Sequence, residues 1–388
     1  MSVLKREDWK LSGWAPRTGW MSWRNYDYQL TIYAVMLTIF GLAMAYSNSV
    51  GPTHTLLTAN SPFVKSMLWA VVAAVVLGLT TVLDYHWLRS FAWPMYLINI
   101  ALLMITLRFG QGTGEAGTAG RWIVIGSSQG GIQLQFSELA KVVMVIVFAA
   151  YLADRQTNIK SLWTIVGAIL IMLPPWVLVL LQPDLGTSLV LVAELAAGLF
   201  MSGASLLWLG TLAGGVIAAF PIVWENMAPY QQARLITLLN PGSDPNGAGY
   251  QIGQAEAAIH AGGIPGKGLT NGTVPLPVET TDFVWGLLAE ELGLVGAIVV
   301  LALFMLLIWR LLVAAWRSND EFALLLGCGM AATLFFQVGV NVGMVSGVLP
   351  VTGIPLPFIT YGGASLVTLA AGIGFIQSTN LRREKPQW

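Results

Sequence analysis

Apolar runs close to membrane thickness recur along the chain, and they leave few folds open. A helix needs roughly 20 apolar residues to cross the hydrocarbon core, and about ten runs approach that length. They are Tyr28–Tyr46, Val64–Leu83, Phe91–Leu107, Leu139–Leu152, Leu162–Leu181, Thr187–Met201, Leu206–Val223, Phe283–Trp309, Phe322–Val348 and Leu366–Ile376. The fourth, sixth and last are short and recruit flanking residues. In lipid every backbone N–H and C=O must find a partner within the protein, so such runs become helices. Only 10% of the 388 residues are charged, against about 25% in soluble domains. The expected fold is an all-α polytopic membrane protein of about ten transmembrane helices, one domain over residues 1–388. Met172-Leu173-Pro174-Pro175 predicts a kink in the fifth run, because two prolines remove ladder donors.

Basic residues set the orientation. Lys5, Arg6, Lys10, Arg17 and Arg24 precede the first run. Alternate loops add Arg89, Arg155, Lys160, Arg310 and Arg317, and the tail adds Arg382, Arg383 and Lys385. The opposite side has only Lys65, Arg108, Arg121, Lys141, Arg234 and Lys267. The richer side is expected to be cytoplasmic, with both termini there. Residues 1–27 carry Trp9, Trp14, Trp20 and Trp23 among basic groups, which suits an interfacial segment along the cytoplasmic surface. The first run has no small-residue cleavage pattern behind it and reads as a signal anchor. Acidic and basic residues balance at 19 each, which gives no reason to expect nucleic acid. A single cysteine, Cys328, excludes a disulfide framework, and three scattered histidines argue against a histidine metal site.

The polar insertion 224–282, between the seventh and eighth runs, is expected outside. It is rich in Gly and Pro and ends in Asp282, set directly against an apolar helix. Asp282 reads either as a helix cap or as a partly desolvated general base. Glu279 sits three residues earlier as a second carboxylate, and Glu290-Glu291 further along is expected to bond other helices or hold Arg234 or Lys141. Within the insertion, Asn240 to Gly249 is dense in turn formers. Gly249 to Ala261 reads as an amphipathic helix along the outer membrane surface, with Ile252, Ala255 and Ile259 on one face. Gly262-Gly263-Ile264-Pro265-Gly266-Lys267-Gly268 fails as a nucleotide loop: its spacing is one short and Gly268 stands where Ser or Thr is required. It reads as a plain loop or, through Lys267 and backbone amides, as part of a phosphate groove.

Three further clusters surround this one. In Gln135-Phe136-Ser137-Glu138-Leu139-Ala140-Lys141, Ser137 suits a cap, and Glu138 and Lys141 share a helical face and can pair. Lys141 with Arg121 could equally serve an anionic headgroup. In Gln182-Pro183-Asp184-Leu185-Gly186, Asp184 reads as a cap or as a substrate-orienting group. The Gly- and Pro-rich stretch from Asn341 to Ser365 either breaks helices where backbone must be buried or line a cavity, or supplies small residues for close helix packing. Glu194, mid-run, wants a buried partner or belongs to a proton path.

Taken together and in order, these motifs resemble the SEDS family of bacterial cell-wall polymerases. The resemblance rests on Gly120-Arg121-Trp122, Ser137-Glu138-x-x-Lys141, Gln182-Pro183-Asp184-Leu185-Gly186, Asp244-Pro245-x-Gly247-x-Gly249-Tyr250, Gly262-Gly263-x-x-Gly266-x-Gly268, Thr281-Asp282-Phe283, Glu290-Glu291-Leu292-Gly293 and Leu349-Pro350 through Tyr361-Gly362-Gly363. Asn240-Pro241-x-Ser243-Asp244-Pro245 and Gly353-Ile354-Pro355-Leu356-Pro357 resemble its elongation branch more than its division branch. Phe136, Thr280 and Val274 depart from residues common in the family. The resemblance implies a glycosyltransferase of the bacterial cytoplasmic membrane, polymerising lipid II into glycan strands on the outer face. It implies Asp282 as general base, and a class B penicillin-binding protein as crosslinking partner. Arg121, Glu138, Lys141, Asp184, Arg234 and Lys267 are the expected substrate-binding residues. A divalent cation, Mg2+ or Mn2+, is a further expectation beside the leaving diphosphate. A lipid II flippase is the competing reading, and a scaffold for the crosslinking enzyme a third.

Overall fold

A computed structural model describes residues 21–50, 61–111, 120–125, 132–227, 229–240, 242, 244, 247–276, 282–318 and 320–383. The Trp-rich stretch before residue 21, the turn residues Pro241, Ser243, Pro245 and Asn246, the segment 277–281 with Glu279, and Lys385 lie outside the described residues. The elements are α1 (Tyr28–Ser49), α2 (Pro62–Val82), α3 (Tyr85–Phe109), β1 (Ile123–Ile125), β2 (Ile132–Leu134), α4 (Phe136–Ala153), α5 (Leu162–Leu181), α6 (Leu185–Met201), α7 (Leu206–Asn226), α8 (Pro229–Leu239), α9 (Ala248–Gly262), α10 (Val284–Trp316), α11 (Glu321–Val345) and α12 (Gly363–Leu381). Among the described residues, 8 helices are long and apolar enough to cross a membrane, and α6 and α7 are shorter apolar helices. These correspond to the apolar runs of the sequence, so the expected helical architecture holds.

The bundle is built around α4, which is buried from Ala140 through Leu152. It packs against α3, α6 and α11, while α12 lies along α2. Large apolar side chains remain exposed on the periphery, including Leu68, Val71 and Leu79 on α2 and Val216 and Ile217 on α7. Such a surface suits lipid tails, not water. Pro174 and Pro175 lie inside α5. Pro175 cannot donate to the carbonyl one turn back, that of Ile171, and Tyr96 Oη donates to that carbonyl at 2.8 Å instead. Glu194, within α6, likewise has a partner: Thr333 Oγ1 donates to it at 2.8 Å.

Hydrogen bonds define the two ends of the bundle. At one end Asp27 accepts from Arg310 Nε at 3.1 Å and Nη2 at 2.5 Å. Gln377 Nε2 donates to Asp27 O at 2.7 Å, Arg382 lies 3.6 Å from Asp84, Tyr85 Oη donates to Asp320 at 2.5 Å, and Arg89 pairs with Asp154 at 2.5 Å. The residues before α1, after α12 and in three loops therefore meet there. The loops at the opposite end carry the site.

Two features were not expected from sequence. A short antiparallel hairpin pairs Ile123 with Leu134, Val124 with Gln133 and Ile125 with Ile132, and α8 forms within the insertion. α9 forms as expected, but its buried residues are Ile252, Ala255 and Ala258, with Ile259 only partly covered. That face rests on α10, where a Cβ added at Gly286 would lie 3.7 Å from Ala255 Cα. The helix is thus docked on the bundle through that face.

Candidate active site

Asp184 organises one wall of the site. It caps α6, accepting from Thr187 N at 3.0 Å and Thr187 Oγ1 at 2.9 Å. It also accepts from Ser137 Oγ at 2.9 Å and Gln135 Nε2 at 3.1 Å. One buried carboxylate therefore ties the start of α4 to the start of α6. Ser137 does not cap α4: it lies inside the first turn, Gln135 holds the cap position, and its hydroxyl serves Asp184. Glu138 and Lys141 pair at 2.7 Å with side chains only 4% and 3% exposed. The pairing alternative describes Lys141, whose ammonium is spent on Glu138 inside the bundle, while Glu138 also lines the cavity.

Arg121 sits just before β1, where the hairpin is joined to the end of α3 by the Gln111–Trp122 bridge. Its Nε donates to Gln182 O at 3.0 Å, and it also donates to Pro183 O. Gln182 Nε2 in turn donates to Leu103 O at 2.9 Å. The guanidinium is thereby braced on the turn between α5 and α6, at the mouth of the same cavity.

Asp282 faces this wall. The cap position of α10 belongs to Phe283, and no side-chain bond caps it, so the capping alternative for Asp282 is not what the fold shows. Its backbone carbonyl accepts from Asn341 Nδ2 at 3.0 Å, and the same amide donates to Ile354 O at 2.7 Å. Asn341 thus fastens Asp282 to the loop between α11 and α12. In that loop Gly353 has φ +76, and a Cβ there would come within 3.3 Å of Asp282 Oδ2. Glycine gives both the left-handed conformation and the room for the carboxylate. Phe358, φ 63, marks a second left-handed residue in the same loop, an uncommon state for a bulky side chain.

The resulting cavity has a volume of about 350 Å³, and its lining includes Arg121, Trp122, Glu138, Asp184, Asp282 and Tyr361. Burial pushes the Asp282 carboxyl up from 3.8 to about 6, opposed by the positive charges of Arg234 and Arg121 and reinforced by the carboxylates of Asp184 and Glu138. A carboxyl raised in this way is a stronger base than a solvated one and is still ionised near neutral pH. Arg234, on α8, is close enough for its charge to act on Asp282.

Lys267 is placed elsewhere. Its Nζ lies 2.7 Å from Glu290 Oε1, and it is absent from the cavity lining. The glycine loop is accordingly a docking segment. Of the two alternatives for Glu290 and Glu291, bonding to another helix describes Glu291, which accepts from Ser47 of α1 and from the amide of Thr270; Glu290 takes Lys267, and Lys141 goes to Glu138 instead. Of the six expected binding residues, Arg121, Glu138 and Asp184 line the cavity with Asp282, Arg234 acts on Asp282 by charge, and Lys141 and Lys267 are paired to glutamates and are not part of the lining. Gln135, Thr187 and Tyr361 also line the cavity. They stood in motifs the sequence displays, but nothing in their residue types alone marked them. Among the described residues no three His, Cys, Asp or Glu side chains converge on a metal position.

The comparisons with known proteins bear on the whole chain. The FtsW/RodA/SpoVE family model, described as a cell cycle protein, matches residues 28–385. The peptidoglycan glycosyltransferase MrdB of Escherichia coli K12 is 40% identical over 297 residues, covering 75% of this chain and 79% of that protein. The probable peptidoglycan glycosyltransferase FtsW of Geobacter sp. M18 is 33% identical, covering 92% and 97%. A chain of a peptidoglycan synthase complex, studied for the coordination of polymerization and crosslinking, superposes with a TM-score of 0.78 at 31% identity, over 93% of this chain and 99% of that one. The rod shape determining protein RodA of Thermus thermophilus gives a TM-score of 0.70 at 27% identity, over 94% and 99%. With the family model spanning nearly its full length and such relatives on both sides of it, the chain belongs to the FtsW/RodA/SpoVE family of polytopic membrane proteins.

Proposed function

We propose that this chain is a peptidoglycan glycosyltransferase that polymerises lipid II, with Asp282 as its general base. The observation that carries the reading is the cavity in which a partly buried carboxylate, raised to about 6, faces a braced guanidinium. The curated relatives named as peptidoglycan glycosyltransferases support it. The cavity has the size of a small-ligand site. It suits the junction of sugar and diphosphate, with the glycan and the lipid tail running outward.

In the reaction the 4-hydroxyl of an incoming disaccharide attacks the anomeric carbon of the growing strand. The new C–O bond forms as the bond from that carbon to the diphosphate breaks. Asp282 accepts the hydroxyl proton, and the electron pair leaves on the lipid diphosphate. Arg121 and Arg234 supply positive charge toward the departing oxygens, a form of stabilisation that strengthens in a site screened from water. One base opposite one leaving group fits displacement with inversion. Among the described residues the donor set does not build a resident cation cage: no three acidic, His or Cys side chains converge there, Asp184 is committed to four hydrogen bonds, and Glu138 Oε1 accepts from Lys141. A Mg2+ or Mn2+ ion would therefore arrive with the diphosphate.

The elongation role, the crosslinking partner and the membrane sidedness belong to the same proposal. The neighbour complex that couples polymerization to crosslinking favours a class B penicillin-binding protein as partner. The collection of Arg89, Arg310 and Arg382 at the end opposite the cavity favours a cytoplasmic placement of that end and an extracytoplasmic cavity.

Purified Asp282→Asn chain, incubated with labelled lipid II and resolved on a gel, is expected to lose polymer formation by about 10²- to 10⁴-fold, the usual contribution of a general base. Full-length polymer from that variant refutes the base. Absence of polymer from the wild-type chain, alone and with its partner, favours the transport reading.

A further inference from the structure

α10 is not a continuous helix. At Gly293 the backbone turns to φ 65, ψ −169, a region open essentially to glycine alone. The ladder bonds lost at the break are made to another segment. Lys267 N donates to Glu290 O at 3.1 Å and Gly268 N to Glu291 O at 2.9 Å; on the far side Leu294 N donates to Gly263 O at 2.9 Å and Val295 N to Ile264 O at 3.3 Å. The glycine loop is thus spliced into the helix. Three glycines permit the approach: a Cβ at Gly262 would meet Ala289 O, one at Gly266 would meet Glu291 O, and one at Gly293 would meet Gly266 N.

The break cuts off a short arm, residues 284–292, with Asp282 two residues before it. Glu290 lies on that arm, fully buried. Its Oε1 accepts from Lys267 Nζ at 2.7 Å, Thr273 N at 2.8 Å, Thr273 Oγ1 at 3.1 Å and Val274 N at 3.2 Å. Val274 precedes Asp282 by eight residues and Glu290 follows it by eight. One carboxylate therefore pins the chain on both sides of Asp282. Glu291 adds a second anchor, to Ser47 at the end of α1 and to Thr270 N at 3.1 Å.

We propose that Glu290 is a positioning residue for Asp282: by clamping Lys267, Thr273 and Val274 to the arm of α10, it fixes the carboxylate over the cavity. The proposal rests on the reading of Asp282 as the base. Glu290 touches no substrate in this scheme; it acts through the placement of the chain around Asp282. The glycine loop then serves the placement of the base.

The test uses the full-length chain with lipid II and compares Asp282→Asn, Glu290→Ala and Glu290→Gln, reading kcat, KM, the pH–rate profile and the melting temperature. Glu290→Ala is expected to lower kcat about 10- to 100-fold per folded molecule, the scale of a misplacement near 1 Å, with KM moving far less. Its pH–rate midpoint should shift, because a displaced Asp282 stands at new distances from Arg234, Arg121, Asp184 and Glu138, whose charges act on it. Glu290→Gln retains an acceptor oxygen for the amides, so it should lose less activity and keep the wild-type midpoint. If Glu290→Ala does not fold, Glu290→Asp takes its place: the carboxylate is drawn back by one methylene, and the same kcat loss and midpoint shift are expected. Wild-type kcat and midpoint in the folded variant overturn the proposal, as does a loss of activity matched by loss of folded protein with the midpoint unmoved. Polymer from Asp282→Asn would remove the base itself, whereas an inactive Asp282→Asn beside a normal Glu290 variant removes only the positioning role.

Discussion

A carboxyl lifted by burial leaves a signature in stability as well as in rate. Folded Asp282 titrates at about 6 against an ordinary 3.8, so between those values the folded chain holds a proton that the unfolded chain has released. Stability gained from that proton is present at low pH and is lost as pH rises through about 6, the reverse of a salt-bridged carboxylate. Polymerisation should run the other way, rising through the same midpoint as the base ionises. Asp282→Asn should therefore melt above the wild type at pH near 7.5, and the gap should close as pH falls from about 6 toward 3.8. Paired melts at several pH values check this; a variant that melts below the wild type at neutral pH shows that the ionised carboxylate stabilises the fold. Single residues were legible to differing degrees. Asp282, Asp184 and Arg121 could be singled out because polar groups beside apolar runs are costly. Lys141 and Lys267 drew the same attention, and both turned out to be committed to glutamates. For Lys141 the three-residue spacing to Glu138 carried the clue. For Lys267 no local pattern points to Glu290, 23 residues away.

At the scale of elements, the long helices were written in hydropathy and the small devices were not. A run of apolar residues near 20 long admits one solution in lipid. Strands of three residues, such as Ile123–Ile125 and Ile132–Leu134, are too short to show a period. Gly293 carries no mark of a break in sequence, because it lies beside a long apolar run and its role depends on a segment docked from outside. The splice makes a sharp contrast between two glycines. Gly293→Ala forces a side chain onto a glycine-only conformation and into Gly266, and it should destabilise by at least ~1–3 kcal/mol. Gly253, in α9, has open space around a built Cβ, and Gly253→Ala should stabilise by about 0.5–1 kcal/mol. Thermal melts of the two variants in the same detergent decide the matter. Equal melting temperatures would mean that the break in α10 is not held by the docked loop.

For the whole molecule, the sequence asymmetry of basic residues and the contacts at the bundle ends both support the proposed sidedness. Arg310 with Asp27, Arg382 with Asp84 and Arg89 with Asp154 gather at one end. Asp282, Asp184 and Arg121 gather at the other, around a cavity that opens between α4, α6, the start of α12 and the loop before it. A substrate with a polar head and a prenyl tail needs that arrangement: chemistry at the rim, hydrocarbon against the exposed apolar flanks. The sidedness can be read with thiols, because the native Cys328 is buried and should stay silent. Thr157, between α4 and α5, and Ala257, on α9, are both exposed. In intact cells a membrane-impermeant maleimide should label Ala257→Cys and spare Thr157→Cys, and permeabilised cells should label both. The opposite pattern would turn the cavity toward the cytoplasm, where a polymerase of the wall has no acceptor strand, and would leave transport as the reading that fits the geometry.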